Sequence, residues 1–235
     1  MTGSVSEVLI AVAVPIGIAI VGGIVGTAWT IGPRLRSALQ HFAGGLIFAA
    51  VAVELLPDIH GAEPVAVVIG AAAGLALMLG VRALSERLAP GVGDARSPAT
   101  LSATIGVDLL IDGLLLGIAF SIGTEQGVLL AVGLTMEVLS LALAVSGDLR
   151  HQGLPRHVAA GVPALLTLLL AVGAVVGVSA LGGLSGPAFA AVVGLGAVAL
   201  LYLVVEELLR EAHETPDTPL VTAAFFGGFL LLLLL

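Results

Sequence analysis

Three carboxylates lie inside long apolar segments, where an ionised side chain is costly. Asp108 and Asp112 occur in the segment ATIGVDLLIDGLLLGIAF, and Glu137 occurs in the apolar segment that follows it. The two aspartates are four residues apart, so in a helix they share one face. An ionised side chain at the centre of a membrane helix costs roughly 2.5–3.5 kcal/mol on insertion scales. Carboxylates therefore persist there mainly where they bind a cation, share protons or meet water.

The composition is that of a membrane protein. Of the 235 residues, 59% are hydrophobic and 10% are charged, whereas about 25% of residues are charged in a soluble domain. The mean hydropathy is +1.20. The chain has 8 arginines, no lysine and 16 acidic residues, which gives a net charge of −8. This charge excludes a nucleic-acid binder, because no basic patch is available to bind phosphates. The chain has no Cys, which excludes disulfides and thiolate metal sites.

The elements that must position the carboxylates are membrane-spanning helices. A helix needs about 20 apolar residues to cross a bilayer. Breaks at Pro, Gly and charged residues predict eight spans, at about 8–30, 38–56, 64–84, 101–122, 126–146, 157–178, 187–208 and 218–235. The longest connection, near 85–100, is expected to be a polar, flexible loop. All arginines fall at connections on one side, so the positive-inside rule predicts that both termini are extracytoplasmic.

A short repeat suggests the arrangement of these spans. Residues 54–63 resemble residues 207–216, because Glu, a Leu pair, an acid and a His recur at an offset of 153. The two segments run in opposite directions in the predicted topology. We therefore predict an all-α integral membrane protein with one transporter domain, 1–235, and an inverted 3+2+3 repeat. The parts are repeat 1 at about 1–84, central helices at about 101–146 and repeat 2 at about 157–235.

The predicted depths of the carboxylates bring them together. At about 1.5 Å per residue, Asp112 and Glu137 each lie about 16 Å into the membrane, near its midplane, and Asp108 lies about 10 Å in. Carboxylates this close together cannot all stay ionised without a counterion, and no basic residue is near in sequence. A bound cation is the simplest solution, and shared protons are the alternative.

The predicted functional residues form two groups. The metal-binding residues are Asp108, Asp112, Glu137 and Glu207. The entrance and exit of the transport pathway are predicted at Glu54, Asp58, Glu206, Glu211 and His213. His41, at the start of span two, is expected to be an interfacial residue rather than a ligand.

Several of these segments resemble the ZIP family of divalent-metal transporters. The segment Asp108-Leu-Leu-Ile-Asp112-Gly113 is similar to the family's His-Asn-x-x-Glu-Gly type motif on span four. HFAGGLIFAAVAVELLPDIHG is similar to the family's Gly-rich second span, and LLYLVVEELLREAHE is similar to its seventh. The resemblance implies eight spans, outside termini, a 3+2+3 inverted repeat, metal transport and a homodimer. Span four has no His and span five keeps only Glu137, so one metal site is expected rather than two.

The predicted function is transport of a divalent cation towards the cytoplasm by alternating access, across a plasma or inner cell membrane. The resemblance implies zinc or iron, while carboxylate ligands favour harder ions such as Mn²⁺, so Zn, Mn, Fe, Co and Cd stay open. Two alternatives remain: a divergent, non-transporting metal sensor or structural relative, and a proton-coupled carrier of a non-metal substrate. An enzyme is not expected, since the protease-like string Gly91-Val-Gly-Asp94 falls in a predicted loop.

Overall fold

The computed structural model describes residues 4–29, 31–59, 62–88, 98–181, 184–213, 215–216 and 218–234. Within these ranges, side chains are not described at 54, 58, 84–88, 98–101, 103–104, 181, 207 and 211. The described residues form helices and connections, with no strand. The α-helices are α1 (Val5–Ala28), α2 (Pro33–Ala50), α3 (Leu56–Ile59), α4 (Pro64–Leu88), α5 (Pro98–Ile122), α6 (Thr124–His151), α7 (Arg156–Leu181), α8 (Gly186–Tyr202), α9 (Leu209–Ala212) and α10 (Pro219–Leu233).

Seven of the described helical segments are long and apolar enough to cross a membrane. They correspond to the first seven predicted spans, and most observed ends lie within a few residues of the predicted ones. The eighth predicted span contains α10, an apolar helix of 15 residues. Its length is about 22 Å at 1.5 Å per residue, which is less than the roughly 30 Å hydrocarbon core. The described helices extend into both ends of the loop predicted at 85–100, because α4 continues to Leu88 and α5 begins at Pro98. Residues 89–97 lie outside the described residues.

Two helices are interrupted by wider π-helical turns. A first π segment, Val51–Leu55, joins α2 to α3. A second π segment, Leu203–Leu208, joins α8 to α9. Each contains one of the two glutamates related by the offset of 153, Glu54 and Glu207. Segments of π-helix are rare and occur frequently at functional sites, so both mark positions of interest.

The helices pack in pairs that approach closely. The closest partners are α5 with α7, α4 with α8, α2 with α10, and α1 with both α6 and α7. A Cβ atom added at Gly113 would overlap the backbone of Leu170 on α7, and one added at Gly70 would overlap the backbone of Ala191 on α8. Glycine therefore permits backbone contact between helices. The Gly-x-x-x-Gly spacings that begin at Gly70 and Gly113 are both used within the chain.

Candidate functional site

Asp112 is the most deeply buried of the predicted site residues that the structure describes. It is 2% exposed, and its Oδ1 atom is fully buried. The helix that carries it, α5, is the most buried of the spanning helices, because 72% of its apolar stretch Ile105–Ile122 is buried, against 22% for α4. The side chain therefore lies within the protein and does not face lipid. A carboxylate in this position is costly unless it is hydrogen-bonded, protonated or paired with a positive charge such as a bound cation.

The turn between α5 and α6 sets the relative levels of the carboxylates. Gly123 alone separates the two helices, which pack against each other. Asp112 precedes this glycine by 11 residues, Asp108 precedes it by 15, and Glu137 follows it by 14. At about 1.5 Å per residue, Glu137 lies about 1.5 Å from the level of Asp108 and about 4.5 Å from that of Asp112. Glu137 and Asp112 therefore differ in level by nearly one turn, and about 3 Å of this difference arises because α6 begins two residues earlier than expected.

Helix α6 adds buried oxygen atoms to this region. Glu137 buries its Oε2 atom, and Ser140, one turn further on, is 2% exposed. The Thr135 hydroxyl donates a 2.6 Å hydrogen bond to the Ala131 carbonyl of its own helix. The Ser140 Oγ atom, in contrast, is buried and has no hydrogen-bond partner among the described residues. A buried hydroxyl in this state can form a hydrogen bond with a water molecule or bind a cation through its oxygen.

A fourth buried oxygen lies on α8. The hydroxyl of Tyr202, the last residue before the second π segment, is buried and has no hydrogen-bond partner among the described residues. Helix α8 packs against α5, the helix of Asp112. From the sequence, Ser140 is one possible oxygen ligand on span five, whereas the Tyr202 hydroxyl was not singled out, because a tyrosine is not unusual in an apolar helix. Their buried, unsatisfied oxygens are visible only once the helices are packed.

The described residues do not contain a ready-made metal cluster. In the described part of the chain, no group of three or more His, Cys, Asp and Glu side chains could hold a metal ion. Asp108, Asp112 and Glu137 therefore do not form such a group among themselves. The side chain of Glu207 lies outside the described residues, so the four-residue metal site stays a prediction.

Of the five residues predicted at the ends of the pathway, two have described side chains. The Glu206 Oε2 atom lies 3.5 Å from the Arg82 Nη1 atom, and both side chains are nearly half exposed. His213 is exposed just after α9. The side chains of Glu54, Asp58 and Glu211 lie outside the described residues. The Arg82 pair was missed because its partners are far apart in sequence. Arg82 lies near the end of the third predicted span and within α4.

The sequence analysis expected His41 to be an interfacial residue, but in the structure it lies inside the protein. It is 3% exposed, and its ring centroid lies 5.1 Å from that of His213. The expectation was wrong because the end of the second π segment and α9 fold back over the start of α2. Two of the chain's five histidines thus meet, although they are separated by most of the sequence.

The seven long apolar helices and the buried polar groups between them define the class of the protein. It is a multi-pass, all-helical membrane protein with carboxylates and hydroxyls inside its helix bundle. The chain matches no protein-family model and no curated protein sequence.

Proposed function

We propose that the protein transports a divalent metal cation towards the cytoplasm by alternating access. The observation that carries this proposal is the burial of Asp112 within the most buried spanning helix. An ionised carboxylate in this position is stabilised by a bound cation, which also gives the cation a binding site part-way through the bilayer. The proposed ligands are Asp112 and Glu137, with Asp108 and the Ser140 hydroxyl within about one turn of the level of Glu137. Glu207, in the second π segment, is the further proposed ligand.

The chemistry of these ligands limits the ion. Carboxylate and hydroxyl oxygens are hard donors, which suit Mn²⁺ and Fe²⁺ and also accept Zn²⁺, Co²⁺ or Cd²⁺. The resemblance to ZIP transporters points to zinc or iron. Because the described residues contain no complete cluster of three ligands, the proposed site is completed when the cation draws oxygens from α5 and α6 together.

The proposed topology has eight crossings, extracytoplasmic termini and an inverted repeat on either side of α5 and α6. Helix bounds support the repeat, because the offset of 153 relates the starts of α2 and α8 and both ends of α3 and α9. Packing supports it as well. In the proposed repeat, α1, α2 and α4 correspond to α7, α8 and α10, and α5 corresponds to α6. The contact of α1 with α6 then corresponds to the contact of α7 with α5, and the contact of α4 with α8 corresponds to the contact of α10 with α2.

This symmetry supports alternating access. In an inverted repeat, the two halves have the same helix arrangement but opposite orientations in the membrane. When the halves exchange their conformations, a central site that was open to one side of the membrane becomes open to the other side. The two π segments lie at equivalent positions of the two halves. We assign Glu54 and Asp58 to the outer end of the pathway and Glu206, Glu211 and His213 to the inner end.

The experiment is ion uptake by proteoliposomes that contain the purified chain. Mn²⁺, Zn²⁺, Fe²⁺, Co²⁺, Cd²⁺ and Mg²⁺ are presented separately to the wild type, to Asp112→Asn and to Asp148→Asn. Asp148 is an exposed aspartate on α6, so the same chemical change is made there outside the proposed site. We expect flux of at least one transition ion in the wild type and in the Asp148 variant, and loss of that flux in the Asp112 variant.

Each outcome decides between the proposals. Full flux in a correctly folded Asp112→Asn protein would exclude the proposed site. If the wild type binds metal at Asp112 without flux, the protein is a sensor or a structural relative. If no ion moves but a pH gradient dissipates in a manner that requires Asp112, the carboxylates relay protons and the protein is a proton-coupled carrier of another substrate.

A further inference from the structure

A hydrogen bond between neighbours of His41 and His213 holds the two histidines close together. The Ser37 hydroxyl, one turn before His41, donates a 2.9 Å hydrogen bond to the Ala212 carbonyl at the end of α9. This bond joins the first half of α2 to the residue next to His213. The two imidazole rings then lie with centroids 5.1 Å apart and planes inclined by 54°. The approach of the rings is therefore fixed by the backbone of both elements.

Each imidazole ring is oriented by an equivalent hydrogen bond to the carbonyl four residues earlier in the chain. His41 Nδ1 lies 2.9 Å from the Ser37 carbonyl oxygen, and His213 Nδ1 contacts the Leu209 carbonyl oxygen, again four residues earlier. A carbonyl can only accept, so Nδ1 carries the hydrogen in both rings. In a neutral imidazole of this tautomer the lone pair is on Nε2. Histidines that bind metal through Nε2 commonly donate Nδ1–H to a carbonyl or carboxylate in this way.

We propose that His41 and His213 together form a two-histidine site for a transition-metal ion of the Zn²⁺ or Cu²⁺ type. Imidazole nitrogen favours these ions over Mg²⁺ and Ca²⁺, which prefer oxygen ligands. His41 is buried and His213 is exposed, so the site joins the interior of the bundle to its surface. With two protein ligands and water in the remaining positions, the ion is held weakly enough to exchange.

The site exists in only one half of the proposed repeat. At the offset of 153, His213 corresponds to His60, but His41 corresponds to Gly194. A second pair of histidines therefore cannot form at the equivalent position. In the proposed topology the pair lies at the cytoplasmic end, so it forms a last binding step before release. This role in release rests on the proposed function, whereas ion binding by the pair does not.

The test uses Cu²⁺ as the probe on the purified full-length chain in detergent. Electron spin echo modulation of bound Cu²⁺ counts the imidazoles that coordinate the ion. At one equivalent of Cu²⁺, we expect two imidazoles in the wild type, and one in His213→Asn and His41→Asn. His157→Asn, which changes an exposed histidine on α7, should leave both. An excess of Zn²⁺ should compete with the copper for this site. The affinity of the protein for Zn²⁺ should be at least about tenfold lower in His213→Asn than in the wild type, since even outer-shell changes cost 10–100-fold.

The experiment separates this inference from the proposed function. His213 is exposed, so its replacement tests the pair even if the His41 variant does not fold. A single imidazole in the wild type, or two imidazoles retained in His213→Asn, would overturn the site. The measurement is repeated in Asp112→Asn, where the two-imidazole signal should persist. Absence of flux in the wild type with this signal intact would overturn the transport proposal alone.

Discussion

A backbone contact between α4 and α8 should make one glycine of α4 essential for stability and leave another replaceable. A Cβ at Gly70 would lie 2.6 Å from the carbonyl carbon and 2.7 Å from the Cα of Ala191, and closer still to its oxygen. A Cβ at Gly80, on the same helix, would have no neighbour within 4 Å. We predict that Gly70→Ala destabilises the protein and that Gly80→Ala does not.

The magnitude follows from the separation that the new methyl group requires. Non-bonded carbons are in optimal contact at about 3.5–4.0 Å, so the two helices must move apart locally by about 1 Å. The obstacle is backbone and cannot rotate away. Overpacking of this kind costs about 1–3 kcal/mol. At Gly80 the methyl group meets open space, and the better helix propensity of Ala contributes up to about 1 kcal/mol of stability.

The assay is the fraction of monodisperse protein that survives heating in detergent, with wild type and both variants heated at one rate. For a chain of this size a change of 1 kcal/mol shifts the midpoint by about 2–4 °C, so Gly70→Ala should lower it by about 2–12 °C. Gly80→Ala should match or slightly exceed the wild type. If Gly70→Ala is as stable as Gly80→Ala, then α4 and α8 do not pack through Gly70, and the paired arrangement of helices is wrong.

Two further predictions concern the topology and the junction of α2 with α9. Because the chain has no Cys, a single introduced cysteine reports the accessibility of its position directly. In right-side-out vesicles an impermeant maleimide should label Glu125→Cys and not Gln152→Cys at the other end of α6, and the reverse pattern would invert the proposed topology. Ser37→Ala removes a hydrogen bond to α9 worth about 1 kcal/mol, so trypsin should cleave at Arg210 about fivefold faster. Ser146→Ala, which removes a bond within its own helix, should leave that rate unchanged, and equal rates in both variants would contradict the junction.

The positions of the helices were predictable because they depend on local sequence. Apolar runs of sufficient length between Pro, Gly and charged residues are a one-dimensional signal, and each predicted span contains one long helix or, at the C-terminal end, the short α10. The Gly-x-x-x-Gly spacings that begin at Gly70 and Gly113 permit close helix contacts, and the structure uses both. Their partners on α7 and α8 could not be predicted, because many helices in the chain carry small residues and would accept such a neighbour.

The polar features that distinguish the site depend on packing and were not predictable. The hydrogen bonds of a π segment span one more residue than those of an α-helix, and nothing in the letters VAVEL or LVVEEL indicates this. The burial of Ser140 and the approach of His41 to His213 depend on which helix faces which neighbour. The level of Glu137 was shifted because the turn at Gly123 is a single residue, and a change of two residues in a helix start moves every later side chain by about 3 Å.

The two halves of the chain differ in chemistry although they are similar in backbone, and this difference is what could give transport a direction. The equivalent halves place a π segment and a short helix at the same offset. Among the described residues, two cationic groups lie beside the second copy of the repeated segment: Arg210 stands where the first copy has Pro57 at the offset of 153, and Arg82 of α4 pairs with Glu206. Positive charge near one end weakens cation binding at that end relative to the other. In the proposed topology this end is cytoplasmic, so a cation held at the proposed carboxylate site meets weaker binding on the inner side, which favours its release there.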